Sequence, residues 1–192
     1  MIVGITGGSG CGKTTALSAF EALGGVVMDC DVIYHELLRS DPALLRAIAD
    51  RFPGTVCQGV LDRKKLGAIV FADEGALLDL NAITHGAVKD EVERRLQGEA
   101  RPVAIDAIGL FEGGLSRLCH TTVAVTAPWE DRIERLMARD GISRDYALAR
   151  LQAQRSCEAF SAMCSHTLHN DGTREQFYEK CLAFFQGLGI MK

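Results

Sequence analysis

The chain has 192 residues, a formal net charge of -4, 47% hydrophobic residues and seven cysteines. This length suits one large α/β domain with an inserted subdomain, and the acidic balance argues against a general nucleic-acid-binding protein, which needs a basic face. No apolar run approaches about 18 residues, so we expect no membrane span. Residues 1–8 (MIVGITGG) lack a basic segment, so we expect no leader peptide. Scattered cysteines without a CxxC pair predict reduced thiols in the cytoplasm, without a zinc site or a disulfide framework.

Two short predicted strands flank the first predicted helix. These elements are a strand over residues 2–6, a helix over residues 14–23 and a strand over residues 26–28. Residues 32–98 differ in character, because apolar residues recur there at helical spacing, as Val88, Val92 and Leu96 do on one face. The segment is too long for a simple crossover connection. We therefore predict that residues 32–98 form a helical insertion.

The second half of the chain alternates strands with helices. The predicted elements are strands over residues 102–106 and 121–126, helices over residues 128–139 and 144–155, a weakly coded strand over residues 165–169 and a helix over residues 173–188. Pro128 is placed in the first turn of its helix, where a missing N–H costs nothing. Such alternation is typical of a mostly parallel sheet covered on both faces.

The segment GGSGCGKT over residues 7–14 matches the P-loop pattern G-x-x-x-x-G-K-[ST] at every fixed position, between a predicted strand and a predicted helix. Glycines let successive backbone N–H groups point at phosphate oxygens, and the helix N-terminus adds a partial positive charge. Lys13 is expected to reach the β- and γ-phosphates of ATP, and the Thr14 hydroxyl is expected to ligate Mg²⁺. The residues predicted to bind the nucleotide here are Gly8, Gly10, Cys11, Gly12, Lys13, Thr14 and Thr15. Cys11 is either a redox-responsive thiol or a small residue at a variable position.

The remaining sequence distinguishes between classes of P-loop protein. A guanine-reading NKxD motif is missing, and the DxxG spacing of Asp106 and Gly109 stands alone. The insertion and an arginine-rich helix favour a small-molecule kinase, in which a lid excludes water from the acceptor. We predict an α/β fold of the P-loop nucleoside-triphosphate hydrolase type, with a parallel five-stranded sheet flanked by helices. One domain over residues 1–192 would include the insertion at 32–98 and a lid at 128–157.

Several polar residues have two interpretations from position alone. Asp31 follows a strand end, where open α/β sheets place their sites, and is either catalytic or a helix N-cap. Asp29 is either a ligand of metal-bound water or a cap. The arginines at 132, 135 and 139 lie on a helix that also carries acidic residues, so they form either a solvated face or a phosphate-binding set.

The chain resembles the dephospho-CoA kinases through almost its whole length. The segments that carry the resemblance are the P-loop, VMDCD at 27–31, LDR at 61–63 with Leu66, His85, residues 106–112, Arg135-Leu136 with Arg139, Gln154 and NDG at 170–172. The departures are Gly86, Ile108, Gly109 and Ser165, where the family usually has proline, proline, leucine and aspartate.

The resemblance implies transfer of the ATP γ-phosphoryl group to the ribose 3′-hydroxyl of dephospho-CoA with Mg²⁺. These two small molecules would be the partners, with no nucleic-acid or membrane partner. It implies catalytic roles for Lys13, Asp31 and Arg139. It adds Arg135, Arg139 and Asn170 to the nucleotide-binding residues and gives Asp31, Arg63, His85 and Asp106 as acceptor-binding residues; Asp106 could instead hold Mg²⁺ through water. A kinase for another acceptor, such as a nucleoside or nucleotide, and a regulatory nucleotide-binding module remain alternatives.

Overall fold

The computed structural model describes residues 1–191, which divide into two compact units. The first unit comprises residues 1–28, 100–110 and 116 onward, and the second comprises residues 29–99 and 111–115. The strands are β1 (Ile2–Thr6), β2 (Val26–Asp29), β3 (Val56–Cys57), β4 (Val60–Leu61), β5 (Val103–Asp106), β6 (Thr121–Thr126) and β7 (His166–His169). The helices are α1 (Lys13–Ala22), α2 (Cys30–Ser40), α3 (Pro42–Arg51), α4 (Arg63–Val70), α5 (Glu74–Leu96), α6 (Trp129–Asp140), α7 (Arg144–Gln152), α8 (Cys157–Met163), α9 (Arg174–Gly187) and a 3₁₀ turn at Leu115–Leu118.

The main sheet has five strands in the order β2-β5-β1-β6-β7, which confirms the predicted architecture. β1 lies at the centre and runs parallel to β5 and β6, with Ile5 opposite both Asp106 and Val123. β6 in turn runs parallel to β7. Parallel strands end at one edge of the sheet, so the segments that follow β1, β5, β6 and β7 come together there.

The core of the first unit lies between the sheet and the pair α1 and α9. Phe20 and Phe185 are fully buried and meet edge to face, with ring centroids 5.1 Å apart. α9 starts at a capping box, in which the Thr173 hydroxyl accepts the Gln176 N–H and the Gln176 side chain accepts the Thr173 N–H. This box satisfies two N–H groups at the helix end and fixes where the closing helix begins.

The second unit contains α2 to α5 around its own apolar core. Leu44 and Ile48 on α3 and Leu66 on α4 are buried in this core. The prediction of a purely helical insertion was incomplete, because the antiparallel hairpin β3–β4 lies between α3 and α4. The hairpin turns at Gln58 and Gly59, both at positive φ (51° and 77°). Each strand has two residues, too few to show the alternation by which strands are recognised.

The segment between β6 and β7 contains three helices, one more than the sequence predicted. α6 begins at Trp129, and Pro128 is its extended N-cap and not its first helical residue. α7 ends at Gln152, and the short helix α8 follows, capped by the Ser156 hydroxyl. Among residues 1–191, no helix has both the length and the apolar character needed to cross a bilayer.

Candidate active site

The loop between β1 and α1 has the backbone shape of a phosphate cradle. Gly7, Gly10 and Gly12 adopt positive φ angles of 145°, 78° and 100°, which residues other than glycine rarely adopt. Gly12 is the N-cap of α1, so the loop ends on the helix N-terminus. Lys13 Nζ donates to the Gly7 carbonyl at 2.8 Å and therefore lies over the loop. Thr14 follows on the first turn with its side chain exposed.

Two amide side chains from later in the chain hold this loop. Gln154 Oε1 accepts the Ser9 N–H at 2.8 Å, and its Nε2 donates to the Ser9 hydroxyl at 2.8 Å. Asn170 Nδ2 donates to the Cys11 carbonyl at 2.9 Å, and a Cβ at Gly12 would collide with that amide. Asn170 is only 5% exposed. The loop is therefore fixed from both sides, which preorganises its N–H groups.

Two arginines of α6 add positive charge beside the loop. Arg135 Nη1 donates to the Gly10 carbonyl at 3.2 Å, while its Nη2 lies 3.3 Å from Asp131. Arg132 is 1% exposed, and its Nε donates to the Ser9 carbonyl at 3.0 Å. The sequence alone left Arg132 open between a solvated face and a phosphate-binding set, because acidic residues lie on the same helix. Only its burial reveals the contact with the loop.

Arg139, unlike Arg132 and Arg135, forms its hydrogen bonds away from the P-loop. Its guanidinium forms two hydrogen bonds to Asp140, at 2.7 and 2.9 Å, and its side chain is 59% exposed. Arg150 also donates to Asp140, at 2.7 Å. The bonds from Arg139 lower the pKa of the Asp140 carboxyl and raise the pKa of Arg139. Arg139 therefore occupies the exposed end of α6, one turn beyond Arg135, and its predicted contact with the nucleotide stays a prediction.

A cleft of about 540 Å³ opens beside the loop-holding residues, at the edge where β6 and β7 end. Thr126, Pro128, Cys157, His169 and Asn170 are among the residues that line it. The Thr126 hydroxyl and His169 Nδ1 are 2.7 Å apart. The polar side chains that line the cleft and the position of the cleft at the strand ends suit a small polar ligand.

Asp106 ends β5 beside the central strand. It lies opposite Ile5, just before the residues that lead into the P-loop, and its side chain is partly buried. The carboxylate of Asp106 and the hydroxyl of Thr14 are oxygen ligands of the kind that Mg²⁺ prefers. No group of three His, Cys, Asp or Glu residues in the described part of the chain could hold a metal ion alone. A magnesium ion here would take its other ligands from phosphate and water, as is usual for this ion.

The polar side chains of the second unit that bear on the site lie at the start of α2, on α2 and at the start of α4. Asp29 is the N-cap of α2 and accepts the N–H groups of Asp31 and Val32 at 2.9 and 3.0 Å. Asp31 is therefore not the cap; its exposed carboxylate has no hydrogen bond within residues 1–191. His35 lies one turn further on α2, with Nδ1 3.2 Å from Arg63 Nη2. Sequence reasoning missed His35, because 28 residues separate it from Arg63 and no motif marks it.

His85 lies on α5 of the second unit. The helix starts at Asp73, whose carboxylate caps it, and the imidazole of His85 is partly buried. Its predicted place near the acceptor stays a prediction.

Tyr34, next to His35, has its pKa raised by burial, with Arg63 acting in the opposite direction.

Comparison with known proteins identifies the family. The sequence profile of the dephospho-CoA kinases matches residues 1–176. The chain belongs to the dephospho-CoA kinase family. It is similar to a dephospho-CoA kinase from Carboxydothermus hydrogenoformans, with 34% identity over 191 residues, 96% of this chain and 93% of that protein.

Solved structures share the fold of this kinase. A Thermus thermophilus protein superposes with a TM-score of 0.81 at 32% identity, covering 98% of this chain and 97% of the other. A dephospho-CoA kinase from Campylobacter jejuni gives a TM-score of 0.68 at 26% identity, covering 97% and 96%.

The positions at which this kinase departs from the family pattern have structural roles. The Ile108 carbonyl accepts the buried Thr6 hydroxyl at 3.2 Å, while the Ile108 side chain is 41% exposed. The Ser165 N–H donates to Thr122 Oγ1 at 3.0 Å and joins β6 to the start of β7. Both contacts lie within the first unit. The Thr6–Ile108 contact lies at the edge of the sheet that carries the P-loop, whereas the Ser165–Thr122 contact lies at the opposite, amino-terminal end of β6 and β7.

Proposed function

We propose that this kinase transfers the γ-phosphoryl group of ATP to the ribose 3′-hydroxyl of dephospho-CoA, giving CoA and ADP. The observation that carries the proposal is the family match over residues 1–176, which includes the P-loop, Asp31 and the arginines of α6. The reaction belongs in the cytoplasm, where ATP is made available and thiols stay reduced.

The nucleotide binds through the loop residues of the first unit. The N–H groups of residues 8–15 surround the phosphates, and Lys13 exchanges its bond with the Gly7 carbonyl for the β- and γ-phosphates. Arg135 neutralises phosphate charge next to Gly10. Asn170 acts on the nucleotide through the loop, because its amide holds the Cys11 carbonyl.

Thr14 and Asp106 are the residues of this chain that would hold magnesium, Thr14 directly and Asp106 through water. When bound, Mg²⁺ would offset the negative charge that develops on the phosphates of ATP during transfer. The exposure of the Thr14 hydroxyl and the place of Asp106 at the end of β5 support this assignment.

Acceptor binding belongs to the second unit in this proposal. Asp31 accepts the proton of the 3′-hydroxyl while the oxygen of that hydroxyl bonds to the γ-phosphorus and ADP leaves. Asp31 then passes the proton to water. The Asp31 carboxylate is exposed and is hydrogen-bonded to no other described side chain, which supports this role. Arg63, which His35 positions through a hydrogen bond, binds the pyrophosphate of dephospho-CoA. His85 helps to shape the same pocket.

Residues 128–157 act as the lid. In the closed lid, Arg139 leaves Asp140 and binds the oxygens of the transferring phosphoryl group. The negative charge on that group is therefore neutralised only when the lid is closed. The exposure of the Arg139–Asp140 pair supports this exchange, because an exposed ion pair contributes little, about 0–1 kcal/mol.

The test is ADP release from Mg-ATP in the presence and absence of dephospho-CoA, with the product followed by mass. ADP release that depends on dephospho-CoA, together with formation of CoA, is the expected result. Turnover with nucleosides or nucleotides and none with dephospho-CoA would replace the proposal with a kinase for another acceptor. Slow hydrolysis that no acceptor accelerates would indicate a regulatory nucleotide-binding module.

A further inference from the structure

Two cysteines meet behind the P-loop. Cys11 is fully buried, and its Sγ lies 4.0 Å from the Sγ of Cys157, 146 residues later in the chain. Cys157 is partly buried and lines the cleft of about 540 Å³, so a small molecule in the cleft can reach it. None of the roles proposed above uses either thiol. A disulfide requires the sulfurs to approach to about 2.05 Å, which is a movement of about 2 Å.

We propose that Cys11 and Cys157 form a reversible disulfide by exchange with a low-molecular-weight disulfide, and that this bond switches off nucleotide binding. Cys157 is the attacking thiol and Cys11 the resolving thiol. Cytosolic disulfides are usually transient and serve such sensing roles.

The surroundings of Cys157 favour its thiolate. The Cys11 thiol can donate a hydrogen bond to it and Arg132 Nη1 lies 3.5 Å from its Sγ, and together they outweigh burial and the weaker effect of Glu158 on α8. These groups lower the pKa of Cys157 to about 6. The pKa of Cys11 is raised, first because it donates that hydrogen bond to Cys157 and then by burial. The Cys157 thiol, which lines the cleft, is therefore the nucleophile, and the fully buried Cys11 thiol keeps its proton.

The exchange balances in two steps. The Cys157 thiolate attacks one sulfur of the small disulfide R–S–S–R, so that a mixed disulfide forms and one thiolate leaves. Cys11 then no longer donates to a thiolate and loses its proton to solvent more easily, with Arg132 and Lys13 nearby. Its sulfur attacks Cys157 Sγ and expels the second R–S⁻, which takes up a proton. Two cysteine thiols are oxidised, and one small disulfide is reduced to two thiols.

The bond acts on the nucleotide because Cys11 belongs to the P-loop. Its carbonyl is held by Asn170, and the flanking Gly10 and Gly12 sit against Arg132 and Asn170, respectively. Pulling the Cys11 sulfur by about 2 Å moves backbone N–H groups whose hydrogen bonds weaken steeply away from about 2.9 Å and a straight angle. The oxidised loop therefore loses its fit to phosphate.

The test treats the reduced full-length protein with oxidised glutathione and removes the excess. Peptide mapping should find Cys11 linked to Cys157, in a protein about 2 Da lighter. Calorimetric titration should give Mg-ATP affinity lower by at least about tenfold, since several N–H groups are displaced together. Dithiothreitol should restore the affinity. Mapping reads the bond without any assay of phosphoryl transfer, so its failure is distinct from failure of the proposed reaction.

Variants separate this pair from the other thiols. Cys157→Ser and Cys157→Ala, each compared with its own reduced state, should keep the same Mg-ATP affinity after glutathione treatment. Cys57→Ser removes an exposed thiol of the β3–β4 hairpin and should leave the response intact. The proposal is overturned if Cys157 is not modified, if it stays as a mixed disulfide, or if the linked protein binds Mg-ATP like the reduced one.

Discussion

Arg132 is a cation in an almost fully buried position, and its neighbours explain how the fold tolerates it. The Ser9 carbonyl accepts from Nε, the Cys157 sulfur lies near Nη1, and the guanidinium lies 5.5 Å from the centre of the Trp129 ring. Nη2 has no hydrogen-bond partner among residues 1–191 and is the atom that a Cβ at Gly8 would meet. Arg132 thus supports the P-loop from behind, and glycine at position 8 leaves room for it.

Arg132→Met should lower the free energy of unfolding by about 1–3 kcal/mol, because the Ser9 carbonyl would lose its donor in a buried place. Urea denaturation measures this. Arg144→Met is the matched control: its exposed pair with Glu130 should contribute no more than about 1 kcal/mol. Equal losses in the two variants would contradict a supporting role for Arg132.

Asp29 caps α2, and in our proposal Asp31, two residues later, serves catalysis. Asp31→Asn should lower kcat by about 10²–10⁴-fold, because the proton acceptor is lost, with little change in Mg-ATP affinity or stability. Asp29→Ala should instead cost about 1 kcal/mol of stability, because α2 loses its N-cap. Steady-state kinetics and urea denaturation of both variants test this. Normal turnover of Asp31→Asn would remove Asp31 from the chemistry.

The reaction of Cys157 with iodoacetamide should depend on pH with a midpoint near 6. The thiolate is the nucleophile, and a lowered pKa means that it is already present above about pH 6, so the rate should rise through that value and then level off. Cys11 from the P-loop and Arg132 from α6 favour this thiolate, whereas burial and, more weakly, Glu158 oppose it. Mass spectrometry of the labelled peptide gives the rate. A midpoint near the ordinary cysteine pKa of about 8.5 would contradict the assignment.

At the scale of elements, glycine has different consequences at two helix ends. Gly12 begins α1 at φ 100°, and a Cβ there would strike Asn170. Gly141 ends α6 at φ 65°, with no atom within 4 Å of such a Cβ. Both positions disfavour other residues, but only Gly12 is enclosed by the side chain that holds the P-loop.

Gly12→Ala should therefore lower Mg-ATP affinity by at least about tenfold, because the loop and Asn170 must both shift. Gly141→Ala should cost about 1–2 kcal/mol of stability from left-handed backbone strain alone, with unchanged Mg-ATP affinity. Titration calorimetry and urea denaturation distinguish these effects. Equal affinity losses in the two variants would show that general strain, and not the cradle, is responsible.

The elements that the sequence predicted are those whose determinants lie close together in the chain. The P-loop has all its glycines, Lys13 and Thr14 in eight consecutive residues, and β1 and β6 appear over the predicted residues. The β3–β4 hairpin and α8 were missed because two-residue strands and a seven-residue helix give too short a pattern. The roles of Arg132 and His35 depend on partners far along the chain, which no local pattern encodes.

At the scale of the whole molecule, the two units have separate cores and, in our account, separate ligands. The nucleotide-binding residues belong to the first unit, and Arg63 and His35 belong to the second. A substitution in one unit should therefore change the KM of one substrate only. This division is a property of the chain as a whole and is tested with one variant from each unit.

Arg63→Ala should raise the KM for dephospho-CoA by about 10–100-fold, the value of a charge-assisted bond of about 1.5–3 kcal/mol, with little change in the KM for ATP. Arg135→Ala should raise the KM for ATP and spare the acceptor. Initial rates over a grid of both substrates measure the four constants. A rise in both constants in both variants would contradict the division.

The most direct measurement is the transfer of label from ATP carrying a labelled γ-phosphate, incubated with the protein, magnesium and dephospho-CoA. We predict that the label appears in CoA as a 3′-phosphate. Lys13→Ala, which we expect to retain the fold, should lose the transfer. Label found only in inorganic phosphate, or undiminished transfer by Lys13→Ala, would contradict the account.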